Sequence, residues 1–257
     1  NAVEETQKRG LNRAEHRLHL RCELPHHTTL PLFEKLVDRE PVSLVSLMDH
    51  SPGQRQFANI EKYREYYQGK YSLNDVEMAR YEEEQLALAA RWSQPNRLSI
   101  AAMCQERNIA LASHDDATPD HVLESHQLGS VIAEFPTTFA AAEASRKHGM
   151  NVLMGAPNIV RGGSHSGNVA ASKLAALGLL DILSSDYYPA SLLDAAFRVA
   201  DDEGNGFTLP QAISLVTKNP ASALGLQDRG EIAEGKRADL VLAHRKGEHI
   251  HIDHVWR

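Results

Sequence analysis

Six short apolar runs alternate with segments of helical composition along the chain. Each run has the length of a strand and is rich in apolar residues before its polar end, as in strands that are buried on both faces of a sheet. The runs lie at residues 18–23, 42–50, 109–116, 131–136, 151–158 and 180–186. Because strands that alternate with helices form parallel sheets, this pattern predicts an α/β fold. The units suit most of a (β/α)8 barrel, so we predict an incomplete barrel of that type, with an open doubly wound sheet as the alternative.

Two segments depart from this rhythm. Residues 51–93 are charged and rich in tyrosine, and we predict a helical insertion there that forms either a lid or a solvated surface. After residue 224, turn residues alternate with short β-runs, which predicts a small antiparallel β piece. We therefore expect the barrel domain at residues 1–224 and the β piece at residues 225–257.

Composition argues against several other classes of protein. The chain has 27 basic and 34 acidic side chains and a net charge of −7, which argues against a nucleic-acid partner. No apolar run is long enough for a transmembrane helix, so we expect no membrane partner. Cys22 and Cys104 are too few for a disulfide framework, and this favours a reducing compartment such as the cytoplasm.

The ends of the six runs carry polar side chains with metal-binding chemistry. In a parallel barrel the active site lies at the carboxyl ends of the strands. In chain order these ends carry Glu23, His50, His114, Glu134, Asn158 and Asp186. A single histidine there is usually a hydrogen-bonded structural residue, but two histidines and two carboxylates on separate buried strands all need partners. The set favours a divalent metal such as zinc or manganese, with Glu23, His50, His114 and Asp186 as candidate ligands.

The loop that follows the fifth run has the composition of an anion site. Residues 158–168 contain Arg161, Ser164 and His165 among glycines, directly before a predicted helix. Glycine lets the backbone approach a ligand, amides at a helix start attract anions, and arginine can hold a phosphate with two hydrogen bonds. A flexible loop without function is the alternative, but it would not need both Arg161 and His165. We therefore predict that this loop binds phosphate.

Several motifs resemble the amidohydrolase superfamily. The strand-end residues and the run NPASALGLQDRGEIAEGKRADLVL are similar to that superfamily. The resemblance implies a distorted barrel that holds one or two metal ions, and a small β-sandwich of which residues 225–257 would be a part. Five further motifs resemble the branch of the superfamily that acts in bacterial phosphonate breakdown, namely HRLHLRCELPHHTTLPLFEKL, SLMDHSPGQRQF, ASHDDATPDHV, MGAPNIVRGGSHSGN and LSSDYYPASLLDAAFRVAD.

The resemblance also implies a substrate and roles for individual residues. The implied reaction is hydrolysis of the small molecule alpha-D-ribose 1-methylphosphonate 5-triphosphate to the 5-phosphate and pyrophosphate, on the carbon–phosphorus lyase pathway. Glu23 would bridge two metals, His50 and His114 would bind the second one, and Asp186 would be both ligand and general base. The residues implied to contact the substrate are Arg161, His165, Asn158, Ser164 and Arg21. Finally, the resemblance implies that the N-terminal third of the superfamily's chain, with the first barrel strands, is missing from this sequence.

Two other functions remain open at this point. An amide-ring hydrolase or deaminase would keep the fold, but such sites need few cations, so Arg17, Arg21 and the Arg161 loop count against one. A non-catalytic subunit of a larger assembly would use residues 51–93 as its interface. The candidate metal ligands at four strand ends count against this function. The sequence leaves open whether identical copies assemble.

Overall fold

A strand forms within each of the six predicted runs, although the strand of the fifth run ends at residue 155 and residues 156–158 begin a helix instead. A computed structural model describes residues 2–164, 167–247 and 249–257 of the chain. The strands of these runs are β1 (Leu18–Glu23), β2 (Val42–Met48), β3 (Ala110–His114), β4 (Ile132–Glu134), β5 (Asn151–Gly155) and β6 (Ile182–Ser184). The described helices are α1 (Ala2–Lys8), α2 (Thr29–Glu34), the 3-10 helix η1 (Arg55–Phe57), α3 (Ile60–Tyr71), α4 (Asp75–Glu106), α5 (Pro119–Gln127), α6 (Phe139–Lys147), α7 (Ala156–Arg161), α8 (Ala171–Ala176), α9 (Ser191–Asp201), α10 (Leu209–Ser214) and α11 (Lys218–Ala223). The predicted α/β fold is therefore confirmed.

The chain divides into two compact units. One consists of residues 17–148, and the other of residues 149–257 together with residues 1–16. The boundary that we predicted after residue 224 lies inside the second unit, so the separation of a barrel domain from a β domain stays a prediction. In the described ranges, every helix is too short or too polar to cross a membrane.

The 17–148 unit contains four parallel strands that pair in chain order. Leu20 of β1 pairs with Val45 of β2, Val45 pairs with Leu111 of β3, and Ala112 of β3 pairs with Ile132 of β4. A doubly wound sheet would reverse its strand order at a switch point, and this fully described unit shows no reversal. Because parallel strands run the same way, the carboxyl ends of all four lie along one edge.

Helix α4 packs against the sheet and contributes to the core of this unit. A capping box starts the helix, with the Asn74 side chain accepting from Glu77 N and the Glu77 side chain accepting from Asn74 N. The helix then continues beyond the predicted end of the insertion at residue 93, through Pro95, although proline in a helix interior costs about 3 kcal/mol. Its last turns bury Ile100 and Cys104 against the strands, and this burial offsets the cost of Pro95.

The 149–257 unit contains β5, β6 and an antiparallel hairpin. Leu153 of β5 pairs with Ile182 of β6 in parallel. The hairpin consists of β7 (Leu240–Lys246) and β8 (His249–Trp256), which confirms the antiparallel β piece near the carboxyl terminus. The sequence predicts a helical pair at residues 208–224 that is broken at Asn219-Pro220, but in the structure the break lies earlier, at residues 215–217. Pro220 is in the first turn of α11, where a missing N–H is tolerated because that N–H has no partner within the helix.

Candidate metal centre

Two histidines meet at the carboxyl edge of the 17–148 sheet. His114 is the last residue of β3, and His50 lies two residues beyond the end of the neighbouring strand β2. Their ring centroids are 5.6 Å apart, and the rings are nearly perpendicular at 87°. Asp115 lies between them, with its Oδ2 atom 3.6 Å from His50 Nε2 and 3.4 Å from His114 Nε2. Within the described parts of the chain, these three residues are the one group of His, Cys, Asp and Glu side chains with metal-site spacing.

A carboxylate holds the other ring nitrogen of each histidine. Glu23 Oε2 lies 2.7 Å from His50 Nδ1, and Glu23 Oε1 accepts from the His50 backbone N–H at 3.1 Å. Glu134 Oε2 lies 2.7 Å from His114 Nδ1. A carboxylate in this position fixes the tautomer and the orientation of the ring, and it makes the opposite nitrogen a better metal ligand. Both histidines are therefore prepared to bind a cation through Nε2, next to Asp115.

The electrostatics of the centre also suit a cation. Burial lowers the pKa of His50, but the carboxylates of Asp115 and Glu23 outweigh that effect and raise the pKa to about 9. Burial raises the pKa of Glu134, but His114 and Ser46 hydrogen-bond to its carboxylate and hold the pKa below its usual range. The surroundings thus stabilise a positive charge at this point, either a proton on His50 or a divalent metal. Two imidazoles and one carboxylate are a donor set that zinc accepts, and catalytic zinc sites with three protein ligands take a water in the fourth position.

Asp115 is a residue that sequence reasoning missed. It directly follows His114, and consecutive residues of an extended strand point to opposite faces, so the two side chains were not expected to share a site. Asp115 instead adopts the left-handed conformation, with φ 55°, which aspartate tolerates better than most residues. This change of backbone direction brings its carboxylate beside both histidines. The only signal in the sequence was the acidic pair Asp115-Asp116 directly after a buried run.

The other predicted residues of this unit border the cluster. Glu23 contacts His50 but is not one of the three residues with metal-site spacing, and its role as a direct ligand stays a prediction. Arg21 Nη2 lies 3.2 Å from His114 Nε2, so a guanidinium stands at the edge of the centre. That place suits the predicted contact with a substrate anion.

The remaining predicted residues belong to the 149–257 unit. Asp186 follows β6 with φ 49°, again in the left-handed conformation, and its roles as ligand and base stay predictions. Asn158 is in α7, where its Oδ1 atom accepts from Ala171 N at 3.0 Å. The Arg161 guanidinium lies 5.6 Å from the centre of the Tyr187 ring. The first four residues of the predicted phosphate loop, 158–161, belong to α7 instead, Ser164 follows that helix, and His165 lies outside the described residues.

Comparison with known proteins identifies the family. Residues 107–255 match the amidohydrolase family, and the chain belongs to this family, whose members are metal-dependent hydrolases. Over all 257 residues it is 88% identical to the alpha-D-ribose 1-methylphosphonate 5-triphosphate diphosphatase of Escherichia coli (strain K12), and it spans 68% of that relative's length. It is also 41% identical to the adenine deaminase of Ligilactobacillus salivarius (strain UCC118), over 76 residues that make up 29% of this chain and 13% of that protein.

Solved structures of two deaminases are similar to this one at lower identity. The 5-methylcytosine deaminase from Klebsiella pneumoniae, liganded with 5-fluorocytosine, has 16% identity and a TM-score of 0.46, over 96% of this chain and 70% of that chain. An adenosine deaminase from Xanthomonas campestris with bound zinc has 17% identity and a TM-score of 0.45, over 82% of this chain and 46% of that chain. The chain thus spans less than half of the second deaminase.

Proposed function

We propose that this protein hydrolyses alpha-D-ribose 1-methylphosphonate 5-triphosphate to the 5-phosphate and pyrophosphate, in the bacterial breakdown of alkylphosphonates. The observation that carries a hydrolytic function is the His50–His114–Asp115 cluster, with a carboxylate behind each histidine. The 88% identity to the Escherichia coli diphosphatase over the whole chain supports the choice of substrate.

The residues of the chain divide the work of this reaction. A divalent cation, zinc or manganese and one or two ions per site, would supply a water of lowered pKa and would polarise a phosphoryl oxygen. His50, His114 and Asp115 would hold it, while Glu23 and Glu134 keep the two imidazoles oriented.

Acid–base chemistry and charge neutralisation fall to other side chains. We assign Asp186 as a metal ligand and as the base that takes a proton from the attacking water and returns it to the leaving group. Arg21, beside His114, would neutralise negative charge on the phosphoryl group. Arg161 and His165, with Asn158 and Ser164, would hold the rest of the triphosphate.

A deaminase or amide-ring hydrolase of the same family is the second candidate function. The matched segment of the adenine deaminase favours it, but that segment covers only 29% of the chain. The guanidinium of Arg21 next to a metal ligand favours an anionic substrate, because a neutral ring would leave this cation unpaired in the centre. We also propose a cytoplasmic location, since both cysteines are free, as in proteins of a reducing compartment.

One assay separates the candidates. The full-length protein, loaded with zinc or manganese, is incubated with the ribose triphosphate, and the products are resolved by phosphorus NMR. We expect one pyrophosphate per substrate and no free orthophosphate. A His50→Ala, His114→Ala double variant should form no pyrophosphate. Orthophosphate as the product, or ammonia from adenine or cytosine at a higher kcat/KM, would contradict the proposal. A metal-loaded protein that turns over none of these compounds would favour the non-catalytic subunit.

A further inference from the structure

A buried network of ion pairs lies directly behind the metal centre. Its five members are Asp49, Arg55, Arg97, Asp116 and Glu124. Arg97 contacts Asp49 at 3.5 Å and Glu124 at 3.1 Å, and Arg55 contacts the same Glu124 oxygen at 3.0 Å and also pairs with Asp116. Apart from Glu124, each member is at most 4% exposed.

The network is attached to the proposed ligands by single peptide units. Asp49 immediately precedes His50, and Asp116 immediately follows Asp115. The two arginines come from different elements, Arg55 from η1 and Arg97 from α4, and Glu124 of α5 joins them. The segment after β2 and the segment after β3 are therefore tied together through a shared carboxylate.

Stability alone is a weak reason for such a network. Buried ion pairs lose hydration on folding and are often no more stabilising than apolar side chains of the same volume. Among the described residues, Arg55 Nε, Arg97 Nε and Asp116 Oδ2 are buried polar atoms that lack a hydrogen-bond partner. Arg55 also has φ 44°, a conformation that is unfavourable for a long side chain. These three unfavourable features in one place indicate a constraint from the neighbouring centre.

We propose that Arg55 and Arg97 are positioning residues of the metal centre. They fix the distance between His50 and Asp115 by holding the residues next to them, and the inference rests on the proposed function. Electrostatics alone would have the opposite effect. With two arginines against three carboxylates the network carries a net charge of −1, so removing an arginine makes it −2 and should attract a cation more strongly. The sign of the change in metal affinity therefore separates positioning from charge.

The test uses Co²⁺ as the probe in the full-length protein, because the visible absorption of this ion depends on its coordination geometry. We expect Arg55→Met and Arg97→Met to weaken Co²⁺ binding by about ten- to hundredfold and to change the spectrum of the bound ion. Arg107→Met is the matched control. It removes an arginine that pairs with Asp38 at 2.6 Å before the start of β3, at the opposite end of that strand, and should leave affinity and spectrum unchanged.

Arg55→Lys covers the case in which the methionine variants fail to fold. Lysine keeps the charge but cannot bridge Asp116 and Glu124 as a guanidinium does. Positioning predicts weaker Co²⁺ binding and a changed spectrum in this variant, whereas a purely electrostatic role predicts no change. Unchanged or tighter binding with an unchanged spectrum in the Arg55 variants would overturn the inference and leave the proposed function intact. An unmodified protein that fails to bind Co²⁺ would overturn both.

Discussion

The substitution Glu134→Gln removes the charge of a buried carboxylate while nearly preserving its size. Glu134 Oε2 lies 2.7 Å from His114 Nδ1 and accepts from Ser46 Oγ at 2.8 Å, and its side chain is only 7% exposed. Hydrogen bonds to charged groups contribute about 1.5–3 kcal/mol, more than those between neutral groups. Because His114 becomes a weaker ligand without the charge behind it, we expect zinc affinity to fall about ten- to hundredfold, or roughly 1.4–2.8 kcal/mol.

Glu23→Gln is the matched variant. The Glu23 carboxylate has the same 2.7 Å distance to its histidine, but its side chain is 43% exposed. Solvent screens that charge, so an orienting role predicts a loss smaller than that caused by Glu134→Gln. A direct metal ligand, which the resemblance implies for Glu23, predicts the larger loss instead. The rank order of the two variants therefore decides the role of Glu23.

The assay is a zinc titration of the metal-free, full-length protein against a chelator of known affinity, at one fixed pH. Thermal unfolding of each metal-free variant checks that the fold is kept. A Glu134→Gln affinity within about twofold of the unmodified protein would refute the argument that carboxylates prepare these histidines, since such partners are typically worth far more. A larger loss for Glu23→Gln than for Glu134→Gln would show that Glu23 is a ligand.

Four further predictions concern the chemistry and its pH dependence. Asp186→Asn should abolish turnover without unfolding the protein, because asparagine tolerates the left-handed backbone at this position, and measured turnover near that of the unmodified enzyme would contradict its role as base. Arg161→Ala should weaken binding of the triphosphate about ten- to hundredfold, the worth of one charge-assisted contact of roughly 1.5–3 kcal/mol, and an unchanged Kd would remove the loop from the site. Because the pKa of His50 is raised from 6.5 to about 9, a metal that binds below pH 9 must displace a proton from this histidine. The logarithm of the metal affinity should therefore rise by about one unit per pH unit in this range. A metal affinity that does not change with pH would contradict this prediction. The same raised pKa predicts that His50 stabilises the metal-free protein fully below pH 6.5 and that this contribution is lost as the pH rises through about 9. The Tm of the metal-free protein should therefore fall between pH 6.5 and 9, and it should fall less steeply in the His50→Gln variant than in the unmodified protein.

Strand positions were predictable because strand burial leaves a direct trace in sequence. Each of the six apolar runs contains a strand, and Thr138 caps α6 by accepting from Ala141 N. Local signals failed where tertiary packing outweighs them. The predicted insertion ended at residue 93, but α4 continues through Pro95 because the residues beyond it bury a full face against the sheet. Pro220 suggested a break, although proline fits the first turn of α11.

The candidate site was predictable in part for a similar reason. His50 and His114 could be found because the end of an apolar run, and with it the end of a strand, can be read from the sequence. The role of Asp115 depends on the left-handed conformation of its backbone. Aspartate tolerates this conformation, but an aspartate in a sequence does not predict it. Arg55 lies in the predicted insertion and Arg97 lies beyond its predicted end, and only the folded chain brings them behind the ligands.

The order of the strands explains how the centre is assembled from so few residues. The four carboxyl ends of the 17–148 sheet present, in spatial order, Glu23, His50, His114 and Glu134, so each outer carboxylate has a histidine as its neighbour. The register enforces this arrangement, since His114 pairs directly with Glu134 across β3 and β4. A slip of one residue would turn either side chain to the opposite face of the sheet and break the contact. Of the three residues that meet in this cluster, Asp115 alone lies outside this sequence of strand ends, and it is the residue with the left-handed backbone.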